Sequence, residues 1–122
     1  MAINEEVTSY TVATFRNDVV SYHYKITIEL ASGGTADLLF PDTPPAQYLT
    51  FSNGHATVYL PASQFADTYH LLQTESPVYF TALSLFGIRA VSLSTGQEPL
   101  GEGLSDQDAL AALLGGQAGP TT

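Results

Sequence analysis

The stretch Val19-Val20-Ser21-Tyr22-His23-Tyr24-Lys25-Ile26-Thr27-Ile28-Glu29-Leu30 decides the fold. From Val20 onward every even position is apolar or aromatic: Val20, Tyr22, Tyr24, Ile26, Ile28 and Leu30. The odd positions Ser21, His23, Lys25, Thr27 and Glu29 are polar. Successive side chains of a strand point to opposite faces, so this alternation gives one apolar and one wet face. A helix would scatter the same residues around its circumference. The stretch is about twice the mean strand length, which suits a central strand paired on both edges.

Working outward, Val7 to Phe15 is β-branched and aromatic and reads as a preceding strand. Arg16-Asn17-Asp18 turns it into the long strand. Ala31-Ser32-Gly33-Gly34 is a second turn, and Thr35 to Phe40 answers with Ala36, Leu38 and Phe40 on one face. These three strands form a meander centred on the quoted stretch. Pro41-Asp42-Thr43-Pro44-Pro45 stops the pairing, because proline cannot donate to the ladder and restricts its predecessor. Tyr48 to Phe51 and Ala56 to Leu60 flank Asn53-Gly54, the strongest short-range hairpin signal in the chain.

At Pro61 the period changes. Phe65, Tyr69 and Leu72 stand at i, i+4 and i+7, with Ala62, Ala66 and Leu71 beside the stripe and Gln64, Asp67 and Gln73 opposite. This predicts an amphipathic helix from Pro61 to Thr74, ended by Ser76-Pro77. Val78 to Phe86 and Ile88 to Thr95 follow as strands around Gly87, apolar on both faces as strands covered on two sides are. A glycine-rich loop leads to an N-cap at Ser105 and a short helix over Ala109 to Leu114, closed by Gly115-Gly116. Residues 117–122 read as a flexible C-terminal tail after a single domain over 1–116.

The order β-β-β-β-β-α-β-β-α indicates the α+β class. The expectation is a curved antiparallel sheet of about six or seven strands packed on one amphipathic helix, closing toward a half-barrel. A barrel plugged by the helix has the same element order.

Composition bounds the function. Twelve acids face three strong bases, Arg16, Lys25 and Arg89, for a formal net charge of −9. Nucleic-acid binding needs clustered cations to displace counterions, and anionic membrane surfaces need them too, so neither partner is expected. No run of apolar residues is long enough for a membrane span. Cysteine is absent, which removes disulfides and thiolate metal sites. The early Asn4-Glu5-Glu6 does not resemble the positive start of a leader, and a cytoplasmic location is the default, although a secreted chain without its leader would look the same. Charged residues make up 12 % of the chain against roughly 25 % in ordinary domains. A low-charge surface rich in hydroxyls suits a protein that covers itself with copies or a partner, so a homo-oligomer or protein partner is expected.

No phosphate-binding glycine motif, nucleophile elbow or His-Glu-x-x-His occurs in the chain, and a cysteine nucleophile is impossible. His23, His55 and His70 lie at no metal-ligand spacing, so no metal and no cofactor are expected. His23 on the wet strand face and His70 beside the helical stripe are the weak candidates for acid–base work; ordinary surface histidines are the simpler reading of all three. Glu98, Glu102, Asp106 and Asp108 share a flexible segment but lack the spacing of a calcium loop, and read better as a solvated loop and helix cap.

Seven tyrosines and six phenylalanines are spread over nearly every element. Tyr22, Tyr24, Tyr59, Phe65 and Tyr69 are the candidate binding residues, forming either an aromatic core or a pocket between sheet and helix. Three functional readings follow. A non-catalytic interaction or assembly module, self-associating through low-charge, Tyr- and Thr-rich sheet surface, leads. A small-molecule-binding domain with an aromatic-lined pocket for a small apolar ligand is the alternative, and an enzyme using a His/carboxylate pair is the third.

Overall fold

A computed structural model describes residues 1–95 of the chain. The acidic loop, the short C-terminal helix and the 117–122 tail expected from sequence lie outside these residues. The elements are β1 (Ala2–Thr14), β2 (Tyr22–Leu30), β3 (Thr35–Pro41), β4 (Leu49–Ser52), β5 (His55–Tyr59), α1 (Phe65–Thr74) after a 3-10 turn at Ala62–Gln64, β6 (Tyr79–Leu85) and β7 (Ile88–Ser94). They form one seven-stranded sheet in the order β4-β5-β3-β2-β1-β6-β7. The meander β1-β2-β3 sits at its centre, as the alternation of β2 requires.

The sheet curves until it is nearly a barrel, and α1 packs against its apolar side. The two edge strands, β4 and β7, approach each other. The hydroxyl of Tyr48, just before β4, donates to the carbonyl of Arg89 on β7. The Arg89 guanidinium in turn donates to Gln47 Oε1 (2.9 Å) and to the Ala46 carbonyl (3.3 Å).

The apolar interior is built from rows of directly opposed residues. Val12, Ile26, Leu38, Val58 and Leu49 make one row across five strands; Tyr10, Ile28, Ala36, Ala56 and Phe51 make the next. Ile26, Ile28, Ala36, Leu38, Ala56 and Val58 are fully buried. Phe80 and Ala82 of β6 join them from the other half of the sheet, and Leu72 of α1 closes the cluster. β6 is buried at four consecutive residues, Phe80 to Leu83, so both its faces are covered, in keeping with its unbroken apolar sequence.

Four features differ from the sequence expectation. First, the sheet is mixed: β3 and β5 run parallel, with β4 carried in the crossover to the outer edge. The Asn53-Gly54 hairpin forms as expected, but its second strand docks on β3 rather than extending the meander.

Second, β1 begins at Ala2 and serves two neighbours, pairing with β6 over residues 2–6 and with β2 over residues 7–14. A bulge at Thr8, between Val7 and Ser9, marks the hand-over and inverts the side-chain parity. Ile3 and Val7 therefore face the core before the bulge, and Tyr10 and Val12 after it.

Third, β2 begins at Tyr22 rather than Val19. The Asn17 side-chain oxygen accepts hydrogen bonds from the backbone N–H of Val19 (2.7 Å) and Val20 (3.0 Å), holding this segment in an Asx turn and leaving Val19 exposed. A second bulge, at His23, separates Tyr22 from Tyr24.

Fourth, Pro61 precedes a 3-10 turn, so the α-helix starts at Phe65 and is shorter than the stripe suggested. Among the described residues no helix is long and apolar enough to cross a membrane.

Candidate functional site

Between the apolar rows lie their outward counterparts, and these are almost wholly polar. Thr11, Thr27, Asp37, Thr57 and Thr50 are opposed across β1, β2, β3, β5 and β4. One step along the strands, Ser9, Glu29, Thr35, His55 and Ser52 form a second row in the same strand order. A third row, Ala13, Lys25, Leu39 and Tyr59, is more apolar. The wet face of the quoted stretch is thus the middle strip of a five-strand platform of hydroxyls, two carboxylates, one imidazole and one ammonium.

These side chains are tied to one another. Asp37 Oδ1 accepts from Thr27 Oγ1 (2.7 Å), and its Oδ2 lies 3.3 Å from His55 Nε2. The other imidazole nitrogen, Nδ1, is 2.6 Å from Thr35 Oγ1. Thr27, Asp37, His55 and Thr35 are therefore linked over three strands by two hydrogen bonds and, between them, a carboxylate–imidazole contact, all four residues half-buried. Glu29 Oε1 accepts from Ser9 Oγ (2.8 Å). A Lys25–Glu29 pair, the simplest reading of that strand face, does not form, because the β1 hydroxyl is directly opposite Glu29 whereas Lys25 is four residues along. Lys25 instead lines a cleft of about 200 Å³ with Thr11, Thr27 and Phe15.

Carboxylate, imidazole and hydroxyl in series is the order that activates a hydroxyl nucleophile. Such chemistry also needs a substrate cleft and preorganised donors for the developing oxyanion. Three clefts formed by described residues are lined by none of Thr35, Asp37 and His55. The linked side chains lie on the outer face of the sheet and tie β2, β3 and β5 together there. Among the described residues no group of three or more His, Asp or Glu side chains is placed to hold a metal ion.

The candidates singled out from sequence are distributed as follows. His23 Nε2 is 3.3 Å from Asp42 Oδ2 in an exposed pair at the β2 bulge. His70 is exposed on α1, and its backbone carbonyl accepts from Thr74 Oγ1. The two are not brought together. His55 is the histidine in a network, and its partners reach it only through the parallel β3–β5 pairing.

Of the aromatic candidates, Tyr24, Phe65 and Tyr69 meet inside the fold. Phe65 stacks on Tyr24 (centroids 4.1 Å apart, planes 9° apart) and on Tyr69 (5.9 Å), and meets Phe40 edge-on (5.3 Å). Tyr69 continues to Tyr10 (6.3 Å). Tyr22, displaced by the His23 bulge, packs edge-on against Phe15 instead, and Tyr59 lies in the third outer row. The aromatic set thus packs α1 to β1, β2 and β3, and the space left between helix and sheet lies farther along, toward β7, lined by aliphatic and polar residues together.

No protein-family model, curated protein or solved structure matches this chain.

Proposed function

We propose that this chain is a non-catalytic interaction and assembly module that associates with copies of itself through the outer face of β1, β2, β3, β4 and β5. The observation that supports this most directly is the pair of registered polar rows running from Ser9 and Thr11 to Ser52 and Thr50. The rows are low in charge, and both carboxylates within them already accept hydrogen bonds from neighbouring hydroxyls. Their side chains are short and branched and are held in place by the Thr27–Asp37–His55–Thr35 chain, so little rotamer entropy remains to be lost on association. A two-fold pairing of such faces is self-complementary, with Lys25 of one copy available to the carboxylates of the other.

Sedimentation velocity across the micromolar range tests the reading. The expected result is concentration-dependent association that the double variant Thr11→Glu/Thr50→Glu abolishes. Both residues are exposed, and each substitution adds a like charge to the row that holds Asp37. Gln73→Glu, on α1, should leave association unchanged. A wild-type chain that sediments as a monomer throughout, or an equal response to both sets of substitutions, would overturn it.

A further inference from the structure

We infer that the cleft between α1 and β7 is a binding site for a small primary amine with an apolar tail. The cleft measures about 230 Å³. Leu38, Leu60, Leu71, Val91 and Leu93 form its apolar lining, drawn from β3, the segment after β5, α1 and β7. Asp67 of α1 stands in the same lining.

Four polar residues share the lining, Gln64, Asp67, Thr68 and Ser92, and only Asp67 carries a charge. Thr68 Oγ1 is engaged by the Gln64 carbonyl at 2.8 Å. The Asp67 carboxylate has no polar partner among the described residues. On the side formed by Leu38, Leu60, Leu71, Val91 and Leu93 water finds few of the two to four partners that hold it in a cavity, so an apolar group displaces it favourably there. The ligand is therefore apolar at one end and donates, with positive charge, at the other. The net charge of −9 favours a cation over an anion in the same position.

Volume sets the ligand size. Water occupies about 30 Å³ per molecule, so the cleft accommodates about eight heavy atoms. That is below the range of drug-sized sites and fits a short alkyl or aryl amine. The aromatic stack does not take part: Phe65 and Tyr69 are committed to Tyr24, Phe40 and Tyr10.

Heptylamine, heptanol and heptanoate are the probes, followed by amide chemical-shift mapping of the intact chain. Heptylamine should bind saturably, shift the amides of Leu71, Val91 and Leu93 most, and bind about five-fold more tightly than heptanol, the size of an ion pair at a half-open mouth. Raised salt should shrink that preference. Asp67→Asn, an exposed substitution that leaves the lining intact, should bring amine and alcohol to equal affinity while both still bind in the cleft. Equal affinity of all three probes for the wild type, shifts centred elsewhere, no saturable binding, or an amine preference that survives Asp67→Asn would each overturn the inference.

Discussion

Tyr48 and Arg89 hold each other across the seam of the sheet. The Tyr48 hydroxyl donates to the Arg89 carbonyl, while the Arg89 guanidinium lies 5.8 Å from the centre of the Tyr48 ring. No ladder joins β4 to β7 among the described residues, and this reciprocal contact, with the Arg89 bonds to Gln47 and Ala46, ties the segment before β4 to β7 above the shared core. Edge strands are otherwise templates for unwanted pairing, and a clasp of side chains covers them without closing a true barrel.

Removing either half of the clasp should cost measurable stability. Tyr48→Phe deletes one hydrogen bond and should lower unfolding free energy by about 1 kcal/mol. Arg89→Ala loses the fork and the ring contact and should cost about 1–2 kcal/mol. Arg89→Lys should recover only part of this, since an ammonium cannot reproduce the planar fork. Urea unfolding of both singles and the double variant gives the coupling energy, expected above about 0.5 kcal/mol; strict additivity would mean that the two contacts act independently.

Phe65 organises the packing of α1. Its ring is stacked against Tyr24 and Tyr69 and met edge-on by Phe40, so one residue links the helix to β2 and β3. Phe65→Ala should destabilise by about 3 kcal/mol, combining lost burial with the void left among three rings. Near-ultraviolet circular dichroism should fall with it, because the tyrosines lose their fixed ring environment. Phe65→Leu should keep most of the stability and lose the same spectral signal.

The alternation of β2, the turns at Gly33-Gly34 and Asn53-Gly54, and the helical stripe of Phe65, Tyr69 and Leu72 were all legible because each is a local pattern. What was not legible depends on long-range choices. The direction of β5 relative to β3 is set by where a crossover places it, and no residue of either strand encodes it. His55 looked like an isolated turn histidine for that reason: Thr35 is 20 residues away in sequence and becomes its neighbour only in the parallel pairing. Lys25 and Glu29 share a strand face and invite pairing, yet Ser9 from β1 reaches the carboxylate first. Bulges at Thr8 and His23 shift parity by one residue, and neither position carries the glycine that would mark one.

The Asp37 carboxylate is the junction of the outer-face network, holding Thr27 with one oxygen and His55 with the other. Asp37→Ala should cost about 1–2 kcal/mol, the loss of one partly buried hydrogen bond and of the contact with the imidazole. Asp37→Asn should cost less, because its amide oxygen still accepts from Thr27. A double-mutant cycle between Asp37→Asn and His55→Ala isolates the cross-strand pair; a coupling near zero would show that the imidazole is held by Thr35 alone.

Gly34 is required by space rather than by backbone angle. A Cβ built there would lie 2.9 Å from the Gly54 carbonyl oxygen, and that same oxygen accepts the Thr35 N–H at 3.1 Å. The β2–β3 turn and the β4–β5 turn are thus pressed together beside His55. Gly34→Ala should cost about 1–3 kcal/mol, since backbone on both sides must shift. It should also broaden the His55 ring resonances by loosening the Thr35 contact, whereas a merely local strain would leave them sharp.

Among the described residues two hairpins have turns whose central residues both take positive φ, and only one has the sequence such turns favour. Asn53-Gly54 (φ 45° and 80°) is the preferred pair; Phe86-Gly87 (φ 54° and 76°) puts a bulky aromatic where asparagine or glycine belongs. The left-handed region costs an ordinary L-residue about 1–2 kcal/mol, and Phe86 is 77 % exposed, so the isolated fold returns little for that cost. Phe86→Asn should therefore stabilise the chain by about 1 kcal/mol in urea unfolding. Gly87→Ala should destabilise it by a similar amount, because its φ is unfavourable for any side chain although the space is open. A Phe86→Asn variant less stable than wild type would mean that the ring is packed in solution and that the apparent strain is offset by contacts it makes there.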